Sequence, residues 1–489
     1  MTKKLNAGLD VLLISPPVFY EDSDNIWKEI NSNFPPLGLA SIAACVRQKG
    51  YSVKIIDCNI VSPSLHSFEK FFKEKIVEKY ASIRFIGLTA MTPTIKKAYK
   101  IADICKIYFP QATVVFGGVH TTFLYEEVLQ KKSVDLAVIG EGEITFQEIV
   151  SGKKLKNVDG IAYKKKINGK IKIVQTKDRQ RISDLNSLPM PAYDLLPILK
   201  YRPAKGTYKR LPAMSMITSR GCPGRCTFCS KTLGMKMVFK SAETIYKEIE
   251  FLVKRYGIKQ ILFYDDTLTV YNENVHKLCD LIIKNRLNIS WTCFARVDFV
   301  DYNLLKKMKR AGCHQIMYGV ESIDKRVLKN INKHINIKQV INATKWTKKA
   351  RIECRLAFMV GNPGDNLKSI KKNITFVNKL NPDLLIVNIT TPFPGTEMYK
   401  WAKSKGLILT YDWDDYNLST PVMRLENLTS SQIKDLYKLM YKRFYFRPKY
   451  IFGMFFKIRH LNDILTLLSG AKSLISFSNI SLTHRKGCN

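Results

Sequence analysis

The chain has 489 residues, too many for one hydrophobic core, and its 46% hydrophobic content is ordinary for a globular protein of several domains. No apolar run is long enough to span a bilayer, and the one near the N-terminus is too short for a secretory signal. The net charge of +38 could attract nucleic acid or anionic lipid, but scattered lysines favour a generally lysine-rich composition.

Residues 8–152 are predicted to form the first domain. Five short apolar or β-branched runs, from DVLLISPP to DLAVIGEGE, are each followed by a helical pattern. This alternation predicts an α/β fold with a doubly wound, flavodoxin-like parallel sheet, which binds ligands at the carboxyl ends of its strands. Gly117, Gly118, Gly140 and Gly142 fall at such ends and leave room for a large flat ligand or its tail.

Residues 153–207 are predicted to be a hairpin and linker. The run DGIAYKKKINGKIKIVQ has the pattern of two strands that turn at Asn168-Gly169. The following SLPMPAYDLLP has the proline spacing of a linker. We therefore expect a domain boundary in this segment.

Residues 208–425 contain a second βα series. Six strand patterns, from AMSMITSR to DLLIVNITTPFPGT, are each followed by a helix-like run. Six such units predict a partial (β/α)6 barrel of the TIM type, with its site at the carboxyl ends of the strands.

A cysteine-rich loop follows the first of these strands. Cys222, Cys226 and Cys229 occur in SRGCPGRCTFCS, a spacing that suits an iron–sulfur cluster with one iron left without a protein ligand. The alternative is a structural zinc site, which would need a fourth ligand. The next candidates are His276 and Cys279, nearly fifty residues further on.

The other cysteines occur singly and mostly within apolar runs, as expected of reduced core thiols. We therefore expect a cytoplasmic protein in a reducing compartment. These cysteines are Cys45, Cys58, Cys105, Cys279, Cys293, Cys313, Cys354 and Cys488.

The last segment, residues 426–489, is predicted to be helical and basic. Aromatic residues alternate with Lys and Arg, a composition that suits an interfacial helix or a lid over an apolar substrate. An ordinary helix packed on the barrel is the simpler interpretation and is slightly favoured. The first interpretation would add peripheral contact with the inner face of the membrane.

The cysteine loop, with Phe228 before its last cysteine, and the motifs MYGVES, MVGNPGD and TPFPGT resemble those of radical S-adenosylmethionine (SAM) enzymes. The motifs PPLGLASIA, VVFGGVH and VIGEGE resemble the cobalamin-binding domain that is fused to some of these barrels. Together the similarity covers about Asp10 to Gly406, and the nearest group contains C-methyltransferases and the anaerobic magnesium-protoporphyrin ester cyclase. The resemblance implies three cofactors: a 4Fe-4S cluster, SAM and cobalamin.

The resemblance also implies the chemistry of the barrel. The open iron would bind the amino and carboxylate groups of SAM, and the reduced cluster would cleave SAM to a 5′-deoxyadenosyl radical, while the protein orients the cofactors. A one-electron donor such as flavodoxin or ferredoxin would supply the electron.

By family position, residues at the ends of the barrel strands would contact SAM. Tyr264, Asp265 and Asp266 stand where Gly-Gly-Glu is often found and would lie near the amino group. Glu321 would bind the ribose hydroxyls or pair with a neighbour such as Arg296, which could itself salt-bridge or touch the methionine carboxylate. The remaining candidates for SAM binding are Gly319, Ser322, Gly361 and Asn388.

In the cobalamin-binding domain, the Asp-x-His-x-x-Gly motif that supplies a lower cobalt ligand is absent. His120 is therefore expected to cap the cofactor tail. The loop that contains Thr89 and Thr92 is the candidate for the lower face of cobalamin. The remaining candidates at this cofactor are Gly117, Gly118, Gly140, Glu141 and Gly142.

Several functions are compatible with these patterns. Methylation of an unactivated carbon is favoured, with radical cyclisation or oxidation as the alternative with the same cofactors. A tRNA methylthiotransferase would need a second cluster at Cys45, Cys58 and Cys105 and a β-rich final domain, so nucleic acid is not the expected partner. A redox or light sensor would leave the TPFPGT and GVES motifs unexplained. The expected partner is a small-molecule substrate, hydrophobic or lipid-like if the basic aromatic tail meets a membrane.

Overall fold

Parallel strands form two large sheets in the computed structural model, which describes residues 8–18, 32–61 and 65–455. The strands are β1 Leu9–Ser15, β2 Val53–Asp57, β3 Ile83–Thr89, β4 Thr113–Gly117, β5 Leu136–Val138, β6 Ile161–Ile167, β7 Lys170–Gln175, β8 Ala213–Met216, β9 Ser219–Arg220, β10 Val238–Phe239, β11 Gln260–Phe263, β12 Ser290–Ala295, β13 Cys313–Glu321, β14 Glu353–Val360 and β15 Leu384–Ile389. The helices are α1 Leu37–Arg47, α2 Cys58–Val61, α3 Leu65–Phe72, α4 Ile95–Tyr108, α5 Val119–Leu129, α6 Glu143–Val150, α7 Ala242–Tyr256, α8 Asn272–Lys284, α9 Tyr302–Arg310, α10 Lys325–Asn330, α11 Ile337–Lys349, α12 Leu367–Leu380, α13 Glu397–Ser404, α14 Ser430–Tyr445 and α15 Pro448–Phe455.

The N-terminal sheet confirms the predicted doubly wound fold. Its parallel strands have the order β2-β1-β3-β4-β5, which is the flavodoxin-like order. One apolar layer, which contains α1 and α6, covers one face of this sheet, and a second layer, which contains α4, covers the other. The strand order reverses next to β1, so the loops after β1 and β3 open a crevice at the carboxyl edge.

The predicted hairpin is present, but it extends the N-terminal sheet instead of standing apart. Strands β6 and β7 are antiparallel and turn at Asn168 and Gly169, whose φ angles of 50° and 77° are those of a tight primed turn. Strand β6 pairs with the three-residue β5, whose outer edge would otherwise be open. The structure therefore places residues 161–175 in the first sheet, beyond the boundary expected at 153.

The second sheet confirms the partial barrel. Its six strands are all parallel, in the order β15-β14-β13-β12-β11-β8, so the barrel is open between β15 and β8. Alternate residues of each strand enter the apolar layer under the outer helices, as Leu356 and Phe358 do in β14. The residues between them line the lumen.

Helix α14 covers the open edge of β15. The hydroxyl of Tyr441 donates to the carbonyl of Val387 and accepts from its N–H, and Tyr445 does the same at Leu385. These bonds satisfy strand groups that a closed barrel would pair with a seventh strand. The packed-helix interpretation is therefore confirmed for this part of the tail, and residues 456–489 lie outside the described residues. Of the helices that the structure describes, none is long and apolar enough to cross a membrane.

Candidate functional site

The cysteine loop begins and ends in a two-stranded antiparallel ribbon. Arg220 and Ser219 of β9 pair with Val238 and Phe239 of β10. Gly221 has a φ of 91°, and a side chain there would lie 2.6 Å from the carbonyl oxygen of Lys236. The loop can therefore leave the strand sharply only with glycine at this position.

The sulfurs of Cys222 and Cys226 lie on the two sides of Gly224. A Cβ atom at Gly224 would be 3.4 Å from the first sulfur and 3.9 Å from the second, and 3.1 Å from a guanidinium nitrogen of Arg296. Burial raises the pKa of the Cys226 thiol, and the positive charges of Lys333 and Arg296 oppose this rise. The loop thus directs two thiols toward two cations.

Cys229, the exposed member of the three, lies at the same mouth. The surrounding protein, and next the charges of Asp266 and the other two cysteines, raise the pKa of its thiol to about 12. Within the described part of the chain, no three His, Cys, Asp or Glu side chains are close enough to hold one metal ion. Cys279, suggested as a fourth zinc ligand, is buried in the core under α8.

The rest of the loop is anchored to neighbouring elements. Phe228 packs in a small apolar cluster with Leu328 and Met398, and the ammonium of Lys333 lies 6.0 Å from its ring centroid. The N–H of Thr227 donates to the carbonyl of Ile331. Phe228 therefore holds the loop in place, and any contact with SAM would come from its outer edge.

The two aspartates after β11 have different surroundings. Asp265 is fully buried and accepts from the N–H of Thr218, 2.8 Å away, and from the hydroxyl of Ser219, 2.6 Å away. This carboxylate anchors the segment that leads into the cysteine loop. The sequence did not predict this structural role. Asp266 is exposed and near Cys229, so of the pair it is the one placed to accept from an ammonium group. The Tyr264 ring packs edge-on against Phe34 and Phe294.

Glu321 pairs with Lys333, and not with Arg296, which was the alternative to its predicted ribose role. Its carboxylate is 2.9 Å from the ammonium of Lys333, and both side chains are buried. A side chain at Gly319 would lie 2.5 Å from this carboxylate, so the glycine makes room for the pair. Arg296 instead forms a bidentate pair with Asp298, at 3.0 and 2.9 Å.

The other SAM candidates fall into two groups. Asn388 faces the lumen from β15, and its side-chain oxygen is buried without a hydrogen-bond partner among the described residues. Gly361 follows β14 with a φ of 89°. Ser322 is fully buried, and its hydroxyl accepts from the N–H of Asp324, which orders the start of α10. The structure therefore leaves Asn388 available to a ligand and places Ser322 in a turn.

The glycines of the N-terminal sheet surround a cavity of about 160 Å³ at its carboxyl edge. Thr89 lines this cavity together with apolar residues such as Leu39 and Val138. The predicted glycines Gly117, Gly118, Gly140 and Gly142 all line it as well. The lining is made of glycine backbone and mainly apolar side chains, with Glu143 as its charged member, and such a cradle fits the rim of a large planar ring.

Two residues predicted at this cofactor, His120 and Thr92, are not among those that line the cavity. His120 is fully buried, its ring packs edge-on against Trp413, and one ring nitrogen lies 3.3 Å from the hydroxyl of Thr92. Thr92 is buried as well. Both belong to the contact between the N-terminal domain and the segment after α13, where Trp413 donates to Glu127.

Glu141 joins the two domains. Its carboxylate is 2.6 Å from Arg220, whose other terminal nitrogen is 2.5 Å from Glu143. All three side chains are at least 86% buried, and the two acids raise the pKa of the arginine against the effect of burial. Because Arg220 stands two residues before Cys222, this cluster ties the cysteine loop to the glycine loop of the N-terminal sheet.

Three thiols faced by two cations form a donor set that suits a cluster whose ligand thiolates are negatively charged. Arg220, Lys333 and Asp298 were not predicted from the sequence, since each gains its role from a partner distant in sequence or across a loop. A signal was present only for Arg220, which is a charged residue at the end of an apolar strand pattern.

Models of two protein families match the chain. The model of the radical SAM superfamily matches residues 216–377, and that of the B12 binding domain matches residues 26–150. The first range contains the cysteine loop and most of the barrel. The second contains all the glycines of the cavity.

Curated relatives match over most of their length. An uncharacterized methyltransferase of Pyrococcus horikoshii is 36% identical over 90% of this chain and 93% of its own. The anaerobic magnesium-protoporphyrin IX monomethyl ester cyclase of Rubrivivax gelatinosus is 28% identical over 86% of this chain and 76% of its own.

Among solved structures, the cobalamin-dependent SAM radical enzyme OxsB, with aqua-cobalamin and SAM bound, has a TM-score of 0.73 at 19% identity. The match covers 96% of this chain and 72% of that one. The radical SAM methyltransferase TsrM of Kitasatospora setae has a TM-score of 0.66 at 15% identity, over 81% of this chain and 75% of its own. Both show that the arrangement of sheet and barrel is shared.

Proposed function

Since the chain belongs to the cobalamin-binding branch of the radical SAM superfamily, which contains methyltransferases and cyclases, we propose that it methylates an unactivated carbon of a small molecule. Its cofactors are a 4Fe-4S cluster, SAM and cobalamin. Bound together, they supply a carbon radical and a methyl group that can be joined to it. The 36% identity to a methyltransferase over nearly the whole chain is the observation that carries this proposal.

The protein's own part would be to bind and orient. Cys222, Cys226 and Cys229 would hold the cluster, with Arg296 and Lys333 offsetting negative charge beside them. Asp266, exposed near Cys229, would accept hydrogen bonds from the ammonium of SAM. Asn388 would give its unsatisfied oxygen to the adenosyl group.

The Glu321–Lys333 pair bears on the ribose proposal. One carboxylate oxygen accepts from Lys333, so the other would bind a ribose hydroxyl while the pair stays intact. The Gly117, Gly118, Gly140 and Gly142 cradle would hold the rim of cobalamin. The Arg220–Glu141–Glu143 cluster would keep the two cofactors in register, since it joins the loops that carry them.

The test is anaerobic turnover of the purified protein with reductant, SAM and methylcobalamin. Methyl transfer of this kind would use one SAM as the methyl donor to cobalamin and another as the source of the radical, so both S-adenosylhomocysteine and 5′-deoxyadenosine should form over several turnovers. Deoxyadenosine without S-adenosylhomocysteine over several turnovers would contradict methylation.

Radical cyclisation is the second candidate, because the relative from Rubrivivax gelatinosus is named a cyclase. The mass of the product separates the two. A gain of one CH₂ supports methylation, and a loss of hydrogen without a gain of carbon supports cyclisation.

A methylthiotransferase with a second cluster has no support in the N-terminal sheet. Cys58 and Cys105 are buried in the apolar layer that contains α4. Cys45 lies in α1, on the opposite face. A peripheral membrane role would depend on residues after 455, and we propose it only for a substrate that is itself apolar.

A further inference from the structure

Arg355 stands in the lumen of the barrel. In β14 the neighbours Cys354 and Leu356 enter the apolar layer under the outer helices, so Arg355 points the opposite way. It pairs in register with Met317 on one side and Leu384 on the other. These residues and Phe294, which is in register with Met317, make this level of the lumen mainly apolar.

Three other charged groups of the lumen have partners of opposite charge, whereas Arg355 has none among the described residues. Glu321 pairs with Lys333 at 2.9 Å, Arg296 with Asp298 at 2.9 Å, and Glu353 with Lys209 at 3.5 Å. Within residues 8–18, 32–61 and 65–455, no carboxylate lies within 4.0 Å of the Arg355 guanidinium. Asp266 also has no ion-pair partner among the described residues, but it lies beside Cys229, at the end of the site proposed for SAM.

The groups that face Arg355 are tyrosine hydroxyls. Tyr264, Tyr441 and Tyr445 are near enough to interact with its charge, and burial lowers its pKa below the usual range. The hydroxyls of Tyr441 and Tyr445 already donate hydrogen bonds to backbone carbonyls of β15. A guanidinium keeps its proton even when buried, so it has five N–H donors and, within the part of the chain that the structure describes, no anion to receive them.

We infer that Arg355 binds the anionic group, a carboxylate or a phosphate, of an otherwise apolar substrate held in the barrel lumen. A planar guanidinium binds either group through two parallel hydrogen bonds. The apolar walls around it select the remainder of the molecule. The inference rests on the proposed function for calling this ligand a substrate, but the binding site itself can be tested without turnover.

The test uses the full chain, reconstituted anaerobically with its cluster, SAM and cobalamin, and titrated by calorimetry with octanoate, octyl phosphate and octanol. Wild type should bind at least one of the two anions about tenfold or more tighter than octanol, since bonds to a charged group contribute about 1.5 kcal/mol or more. The tighter anion identifies a carboxylate or a phosphate. Equal binding of all three probes would overturn the inference.

Three variants complete the experiment. Arg355→Gln should lose the preference for the anion. Arg355→Lys should keep part of it, because lysine retains the positive charge but lacks the planar group that makes two parallel hydrogen bonds. The matched control is Arg255→Gln on the exposed surface of α7, which should leave the preference unchanged. If Arg355→Gln weakens SAM binding tenfold instead, Arg355 serves the cofactor and the inference is wrong.

The two proposals fail in different ways. Absence of SAM cleavage together with an Arg355-dependent preference for anions would reject the proposed function and keep the site. Cleavage without any such preference would keep the function and reject the site. If Arg355→Gln does not fold, the titration of Arg355→Lys tests the inference instead. An anion affinity equal to that of the wild type would then contradict it.

Discussion

The carboxyl edge of the N-terminal sheet and the mouth of the barrel are joined by Arg220, yet they differ in what lines them. Around the edge cavity the structure places Gly117, Gly118, Gly140 and Gly142, with apolar neighbours. At the barrel mouth it places thiols beside Arg296 and Lys333.

The linings of the two regions differ because each region suits a different kind of ligand. A large planar ring needs open space and close approach to the backbone. Glycines provide both because they have no side chain. A thiolate cluster and the zwitterionic end of SAM need charges, and buried charges need partners. Substitutions should therefore act by steric exclusion in the first region and by loss of ligands or charge in the second.

The largest effect is expected from Cys226→Ala. Loss of the buried thiol should abolish cluster assembly and SAM cleavage, while cobalamin binding in the separate sheet cavity stays intact. Iron content, deoxyadenosine release and bound cobalamin measure the three. Cys279→Ala, which removes a buried thiol from α8, is the control and should keep its iron. Retained cleavage in Cys226→Ala would refute the cluster assignment.

Arg220→Gln should have the next largest effect, because it leaves Glu141 and Glu143 buried without their partner. Removing one partner of a buried ion pair costs about 3–5 kcal/mol of unfolding free energy. Chemical denaturation of the apo-protein measures the loss.

The control is Arg84→Gln, whose pair with Asp10 is largely exposed and should contribute less than about 1 kcal/mol. Equal stability of the two variants would show that the Arg220 cluster does not join the two regions.

Gly117→Leu should have the smallest effect and the most specific one. A Cβ atom there meets only Val138, at 3.9 Å, so the fold tolerates it and the added side chain enters the cavity. Overpacking of about 1–3 kcal/mol should weaken cobalamin about tenfold to 100-fold and leave iron content unchanged. Titration with hydroxocobalamin measures this.

Gly453→Leu on α15 is the matched control, because nothing lies within 4 Å of a Cβ atom there. Unchanged cobalamin affinity in Gly117→Leu would show that the cofactor binds elsewhere.

Much of the site was predictable where one short segment carries it. The spacing of Cys222, Cys226 and Cys229 and the glycines after β4 and β5 needed only local sequence. Local sequence did not indicate the contacts of Asp265, His120 and the hairpin after residue 153, because their partners are distant in the chain.

The two series of βα units, the cysteine loop and the family could be predicted from the sequence alone, because periodicity and motif spacing are properties of contiguous residues. Tertiary structure decided which charges are paired. Lys333 forms an ion pair with Glu321, and Arg220 with Glu141, whereas Arg355 has no carboxylate partner among the described residues. A charge acquires its partner only when strands far apart in sequence become neighbours, and a buried charge depends on that partner far more than on its own segment.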